Sequence, residues 1–216
     1  MNEKEVIAQR AAERIEAGML VGLGTGSTAN LFIAALARRV QQEGLQVTTV
    51  SSSVISALRA QQAGLALLAL EQVSRLDVYV DGADEVAPDL TLLKGRGSDL
   101  VREKLLAQAS AAFWVLADQS KHVSRIGERN PIPIEVLPFA WQLVKARLEK
   151  LGGRGELRLN ASQDGVAVTA HGSLVLDMVF DAELDSLSLD RQLSATAGVV
   201  EHGIFSGLAT CVISGL

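Results

Sequence analysis

The stretch Met19-Leu-Val-Gly-Leu-Gly-Thr-Gly-Ser-Thr28 decides the fold. Its first five residues form an apolar run too short for a helix and suited to a strand buried on both faces. Glycine, threonine and serine then interrupt the run. Leu31, Phe32, Ala35 and Leu36 follow at the spacing of a helix with one apolar face. Strand, polar turn and helix together open a βα unit.

The same alternation extends in both directions. Upstream, Asn2 to Ala17 reads as an amphipathic helix stopped by Gly18. Downstream come a strand at Gln46–Val50, a helix from Val54 to Ala63, an apolar run at Leu65–Leu70 and a strand at Leu76–Val80. A short strand at Leu90–Leu93, a helix capped by Ser98 and running to Ser110, and a strand at Ala111–Ala117 complete the series. The order βαβα predicts an α/β fold with a mostly parallel sheet covered by helices.

After Ile126 the rhythm changes. Pro131, Pro133 and Pro138 give an edge-strand or linker composition. A helix at Phe139–Leu151, strands at Arg154–Asn160, Val166–Thr169 and Leu174–Val179, and a helix at Asp181–Leu189 read as a small α+β insertion. The last residues, from Gly198, hold two more strand-like runs. The division this predicts is a first domain of 1–126 with 198–216 and a small domain of 127–197.

Composition narrows the function. The chain has 216 residues, 48% of them hydrophobic and 21% charged, as expected of a globular protein with a sizeable core. Its 20 Lys+Arg against 25 Asp+Glu leave a formal charge of −5, and only 4% of residues are aromatic. Neither feature suits nucleic-acid binding. The single cysteine, Cys211, excludes an internal disulfide, and His122, His171 and His202 show no metal-ligand spacing. No run approaches roughly 18 apolar residues, and the acidic N-terminus does not resemble a signal peptide, so a cytoplasmic location without membrane association is expected.

Polar clusters fall at the predicted C-terminal ends of strands, where open α/β sheets bind ligands. Gly24-Thr-Gly-Ser-Thr28 lacks the third glycine of a dinucleotide loop and the lysine of a nucleotide-triphosphate loop. Its glycines and hydroxyls at a helix start suit a monophosphate, although a plain tight turn would have the same composition. Asp81-Gly-Ala-Asp-Glu85 brings three carboxylates together around small residues. They could bind sugar hydroxyls, move protons, hold Mg²⁺ or simply be solvated. Lys94-Gly-Arg-Gly97 supplies cations able to meet a phosphate or a developing oxyanion, and Lys121 is a second such candidate. Nothing in the pattern distinguishes Glu103 from a surface glutamate.

Taken in order, Gly22-Leu-Gly-Thr-Gly-Ser-Thr-Ala29, Ser51-Ser-Ser53, Tyr79-Val-Asp-Gly-Ala-Asp-Glu85, Lys94-Gly-Arg-Gly97 with Arg102-Glu-Lys104, Asp118-Gln-Ser-Lys121 and Gly198-Val-Val-Glu-His-Gly203 resemble the type A ribose-5-phosphate isomerases over nearly the whole chain. The resemblance implies a Rossmann-like sheet with helices on both faces and a small α+β, ferredoxin-like domain. It implies interconversion of D-ribose 5-phosphate and D-ribulose 5-phosphate through an enediolate, in the non-oxidative pentose phosphate pathway. No cofactor or metal is expected, and assembly as a homodimer or larger homo-oligomer is.

By motif, Glu103 resembles the base that moves a proton between C2 and C1. Asp81 assists ring opening, Asp84 binds the sugar and Lys94 stabilises the enediolate oxygen. Thr25, Gly26, Ser27, Thr28, Gly82, Ala83, Gly95, Arg96, Gly97 and Lys121 line the substrate, and Lys4 is a further phosphate candidate. Two departures stand out. Arg96 replaces a glycine usual in the family and is expected to face solvent, and the turn Thr169-Ala-His-Gly-Ser173 is altered, which bears on assembly contacts. Two alternatives share the fold: a sugar-phosphate sensor without catalysis and a CoA-transferase-like enzyme with a glutamate nucleophile.

Overall fold

The computed structural model describes residues 2–97, 99–181 and 184–215. Ser98, the expected helix cap, lies outside the described residues. In chain order the elements are α1 (Glu3–Glu13), β1 (Leu20–Leu23), α2 (Ser27–Glu43), β2 (Thr48–Ser51), α3 (Val54–Gln62), β3 (Leu67–Leu68), β4 (Leu76–Gly82), β5 (Glu85–Val86), β6 (Leu92–Leu93), α4 (Leu100–Ala109) and β7 (Ser110–Leu116). They continue with β8 (Ile132–Val136), α5 (Trp141–Lys150), β9 (Arg154–Leu157), β10 (Leu174–Val179), α6 (Ser186–Ser194), β11 (Val199–His202), β12 (Ile204–Phe205) and β13 (Cys211–Ile213).

Two compact units emerge. The first comprises Met1–Ala83, Arg102–His122 and Leu208–Leu216, the second Asp84–Val101 and Val123–Gly207. The sequence division of 1–126 with 198–216 against 127–197 apportions 84–101, 123–126 and 198–207 differently. Pairing of β12 with β6 and of β6 with β5 ties those segments together, and such long-range partners leave no local trace in sequence.

The first unit is a six-stranded sheet in the order β13-β7-β4-β1-β2-β3, parallel throughout and flanked by helices. Ile7, Ala11, Phe32, Ile33 and Leu36 of α1 and α2 close over Val21, Leu23, Val78 and Val80. β2 and β4 lie on opposite sides of β1, so the strand order reverses there. At such a switch point the turns after adjacent strands part and leave a crevice. The turns concerned are those that follow Leu23 of β1 and Gly82 of β4.

The second unit holds the run β8-α5-β9-β10-α6-β11 as a four-stranded antiparallel sheet ordered β11-β8-β10-β9, the ferredoxin-like arrangement. Val144, Leu148, Leu189 and Leu193 of its helices bury Ile132, Ile134, Val136, Leu176 and Met178. A three-stranded sheet, β12-β6-β5, completes this unit.

Several expectations require correction. The proline-rich segment is neither an edge strand nor a linker but the interior strand β8. Pro133 is tolerated because its carbonyl accepts from Gly203 N–H at 2.8 Å, just beyond the end of β11, so its missing donor faces the side where pairing stops. The run 166–169 forms only isolated bridges, Leu159 with Val166 and Val168 with Leu174. The helix expected at 181–189 is α6 instead, because the Asp185 side chain accepts from Leu187 and Ser188 N–H and fixes the start there. Asp181 pairs with Arg154 at 2.7 Å. α1 stops at Glu13 rather than Ala17.

Candidate active site

In the first unit, β4 carries the central carboxylate. Asp81 is 0% exposed, and its Oδ1 accepts from Gly82 N–H at 2.7 Å and Thr25 N–H at 3.0 Å. Its Oδ2 accepts from the Tyr79 hydroxyl at 2.6 Å. Gly24 permits this closeness: a Cβ there would lie 2.0 Å from Asp81 Oδ1. Glycine in the turn is therefore demanded by the neighbouring carboxylate, in addition to any role toward a ligand.

The turn after β2 joins the same network. Thr25 Oγ1 lies 3.0 Å from Ser52 Oγ and donates to Ser53 Oγ at 2.7 Å. Ser53 also caps α3 through Ser56 N–H. Arg102 reaches back to the Ser51 carbonyl at 3.4 Å. Glu103, next to it in the first turn of α4, is 4% exposed. Its charge reaches Tyr79. Burial, then Asp81, then Glu103 raise the Tyr79 phenol well above its ordinary value.

One lysine reaches the start of α2 in the same unit. No side chain caps that helix, leaving its first N–H groups without the usual side-chain acceptor. Lys4 Nζ donates to Ser27 Oγ at 3.2 Å, across 23 residues of sequence. Lys121 follows β7 in a single 3₁₀ turn. Asp118 beside it is held below the usual carboxylate range, first by the Ser120 hydroxyl, with further help from the Ser120 N–H and the charges of Lys121 and Lys4. The structure thus brings Lys4 to Ser27 at the uncapped helix start, while Lys121 and Lys4 both act on Asp118.

In the second unit, Asp84 and Lys94 sit at the same end of the small sheet. Asp84 N–H donates to the Leu93 carbonyl at 2.8 Å, and Lys94 N–H donates to the Gly203 carbonyl at 2.9 Å. Lys94 is 4% exposed, with Nζ 5.7 Å from the centre of the Phe205 ring. Arg158, paired with both Asp177 oxygens, donates to the Gly95 and Arg96 carbonyls at 3.1 and 3.2 Å. Arg96 itself is exposed and donates to Asn130 Oδ1 at 3.2 Å. Together with Pro131, Arg158 and Asp177 it borders a cavity of 260 Å³.

Sequence reasoning missed Tyr79. The available signal was a lone hydroxyl in an apolar strand, two residues before Asp81 and therefore on the same face. Among the described residues, no group of three or more His, Cys, Asp or Glu is placed to hold a metal ion. No helix among them is long and apolar enough to cross a membrane.

Comparison with known proteins agrees with this fold. A family profile described as Ribose 5-phosphate isomerase A (phosphoriboisomerase A) matches residues 48–216, and one for the DeoR C terminal sensor domain matches residues 1–70. The chain is 44% identical to the Ribose-5-phosphate isomerase A of Synechococcus sp. (strain JA-3-3Ab), over 98% of this chain and 93% of that one. It resembles the structure of ribose 5-phosphate isomerase A from Methanocaldococcus jannaschii, with a TM-score of 0.92 and 35% identity over 98% of this chain and 94% of that one. A D-ribose-5-phosphate isomerase in complex with phospho-erythronic acid matches with a TM-score of 0.94 and 36% identity, over 99% of this chain and 96% of the other.

Proposed function

Because this chain belongs to the ribose 5-phosphate isomerase A family, it interconverts D-ribose 5-phosphate and D-ribulose 5-phosphate, and we propose that Glu103 is the base of that reaction. One observation carries the assignment. A glutamate that pattern reads as surface is buried in the first turn of α4, with its charge felt at the phenol that bonds Asp81.

The roles follow from the chemistry. The hydrogen on C2 of the open aldose is weakly acidic, so the base must be positioned and the resulting charge met by a fixed cation. Glu103 takes that proton, the electron pair forms the C1–C2 double bond, and negative charge moves onto O1. Lys94 stabilises that oxygen. Glu103 then returns its proton to C1 while the O2 hydroxyl proton passes to O1, leaving the ketose. Asp81 accepts from sugar hydroxyls and assists ring opening, and Asp84 binds the sugar.

Thr25 and the main chain of Gly82, Ala83, Gly95, Arg96 and Gly97 line the sugar. Gly26, Ser27, Thr28, Lys121 and Lys4 take the phosphate, whose binding energy holds C1 and C2 in register. An erythronic acid phosphate fits the same reading, because its planar, negatively charged carboxylate resembles the planar, charged C1–C2 end of the enediolate. Assembly as a homodimer and work in the cytoplasm, on a diffusible sugar phosphate, belong to this proposal.

The test is Glu103→Gln. It should fold and bind sugar phosphate with near-native KM but lose at least about 100-fold in kcat. Near-native turnover would remove Glu103 from the role. The DeoR sensor match covers only residues 1–70, and the alternative it suggests, binding without turnover, gives way to the isomerase family matched over 98% of the chain. Conversion of ribose 5-phosphate by the wild-type chain discards that alternative.

A further inference from the structure

The Tyr79 hydroxyl is buried in the strand that carries Asp81, and the chemistry of isomerisation gives it no direct task. Its ring is locked. A Cβ at Gly22 would meet Tyr79 Cδ2 at 2.8 Å, and the Phe113 ring packs at 4.9 Å between centroids. Val78 and Val80 face the aliphatic core, while Tyr79 and Asp81 share the opposite face. Phenylalanine would fill the same space without burying a polar atom, and a buried hydroxyl is costly unless bonded. Here its partner is Asp81 Oδ2 at 2.6 Å. Ser52 Oγ lies 3.0 Å from Thr25 Oγ1, and Thr25 N–H donates to Asp81, so the turn after β1 and the phenol converge on one carboxylate.

We propose that Tyr79 is a positioning residue for the isomerisation: its hydroxyl, with the Thr25 and Gly82 N–H groups, fixes Asp81 as an oriented hydrogen-bond acceptor and leaves proton transfer to Glu103. The proposal rests on the reading of Asp81 and Glu103 given above. Two carboxylates in one unit invite ambiguity over which takes the C2 proton. Donors aimed at both oxygens of Asp81 occupy its lone pairs and hold it in one orientation, which leaves the C2 proton to Glu103. Burial and the two carboxylate charges keep the phenol protonated, so it remains a donor at every working pH.

Tyr79→Phe tests this in wild-type and Asp81→Asn backgrounds, with kcat, KM and melting temperature all measured. In the wild-type background kcat should fall about tenfold or more, with KM little changed. In Asp81→Asn the same change should cost no further turnover. Undiminished kcat in the wild-type background, or an equal loss in both backgrounds, overturns the proposal. Full turnover in Asp81→Asn alone also overturns it, while wild-type turnover still upholds the isomerase reading.

Tyr79 is the chain's single tyrosine, so biosynthetic 3-fluorotyrosine probes this site alone even if the phenylalanine variant fails to fold. Its fluorine resonance should shift in Asp81→Asn. A resonance indifferent to that substitution sinks the idea.

Discussion

In the first unit, hydrogen bonds land on side-chain atoms of the proposed site: both Asp81 oxygens receive donors, and Lys4 itself reaches Ser27. In the second, main-chain bonds fix the roots of Asp84 and Lys94, and Arg158 holds the carbonyls that follow Lys94. The difference suits the groups. A carboxylate that must face one way needs its oxygens oriented, whereas an ammonium on a flexible stem needs a fixed origin and a low-dielectric surround.

Perturbing each unit separates these modes. The largest effect belongs to the first, where Glu103→Gln removes the proposed base. In the second, Gly203→Ala should come next. Its Cβ would lie 2.3 Å from the Lys94 carbonyl oxygen and 2.7 Å from Pro133 ring carbons, so the main chain under Lys94 must shift. Turnover should fall roughly 10- to 100-fold, as for a displacement of about 1 Å, with a stability loss of about 1–3 kcal/mol by chemical denaturation. If Gly203→Ala kept full kcat, a fixed main chain would not be what Lys94 requires.

Lys4→Ala should raise KM about tenfold, equivalent to about 1.4 kcal/mol, with kcat nearly unchanged, because phosphate binding is common to ground and transition states. A smaller effect comes from pH. The folded state holds the Tyr79 proton after the unfolded chain has lost it, so unfolding releases a proton at alkaline pH. Stability from this group is intact below about pH 10 and declines above it, and melting curves of the wild type should show a steeper alkaline fall than those of Tyr79→Phe. Arg96→Gly should do least. Its side chain is exposed and directed to Asn130, and kcat/KM should stay within about twofold.

Much of the architecture was legible. Short apolar runs ending in Gly24–Thr28 and Asp81–Glu85 mark buried parallel strands, because such strands bury both faces and leave polar residues for the turns. β8 was not, since proline in an interior strand is admissible only when its missing N–H faces an unpaired position, and that depends on where β11 ends. Glu103 was illegible by pattern for a related reason. A glutamate in a helix's first turn suits the local dipole whether it is buried or wet, so only family resemblance singled it out. Tyr79 left a faint trace, the period of two shared with Asp81.

The amino-acid order alone determined the alternation of strands and helices, the small polar residues of the turns, the acidic balance and the candidate charges. These depend on local propensity and periodicity, which act over a few neighbours. Tertiary structure decided that β4 lies beside β1, that Lys4 meets Ser27 and that a phenol seats itself on Asp81. Strand order and register are settled by burying whole faces at once, and no short segment carries enough of that free energy to specify its distant partner.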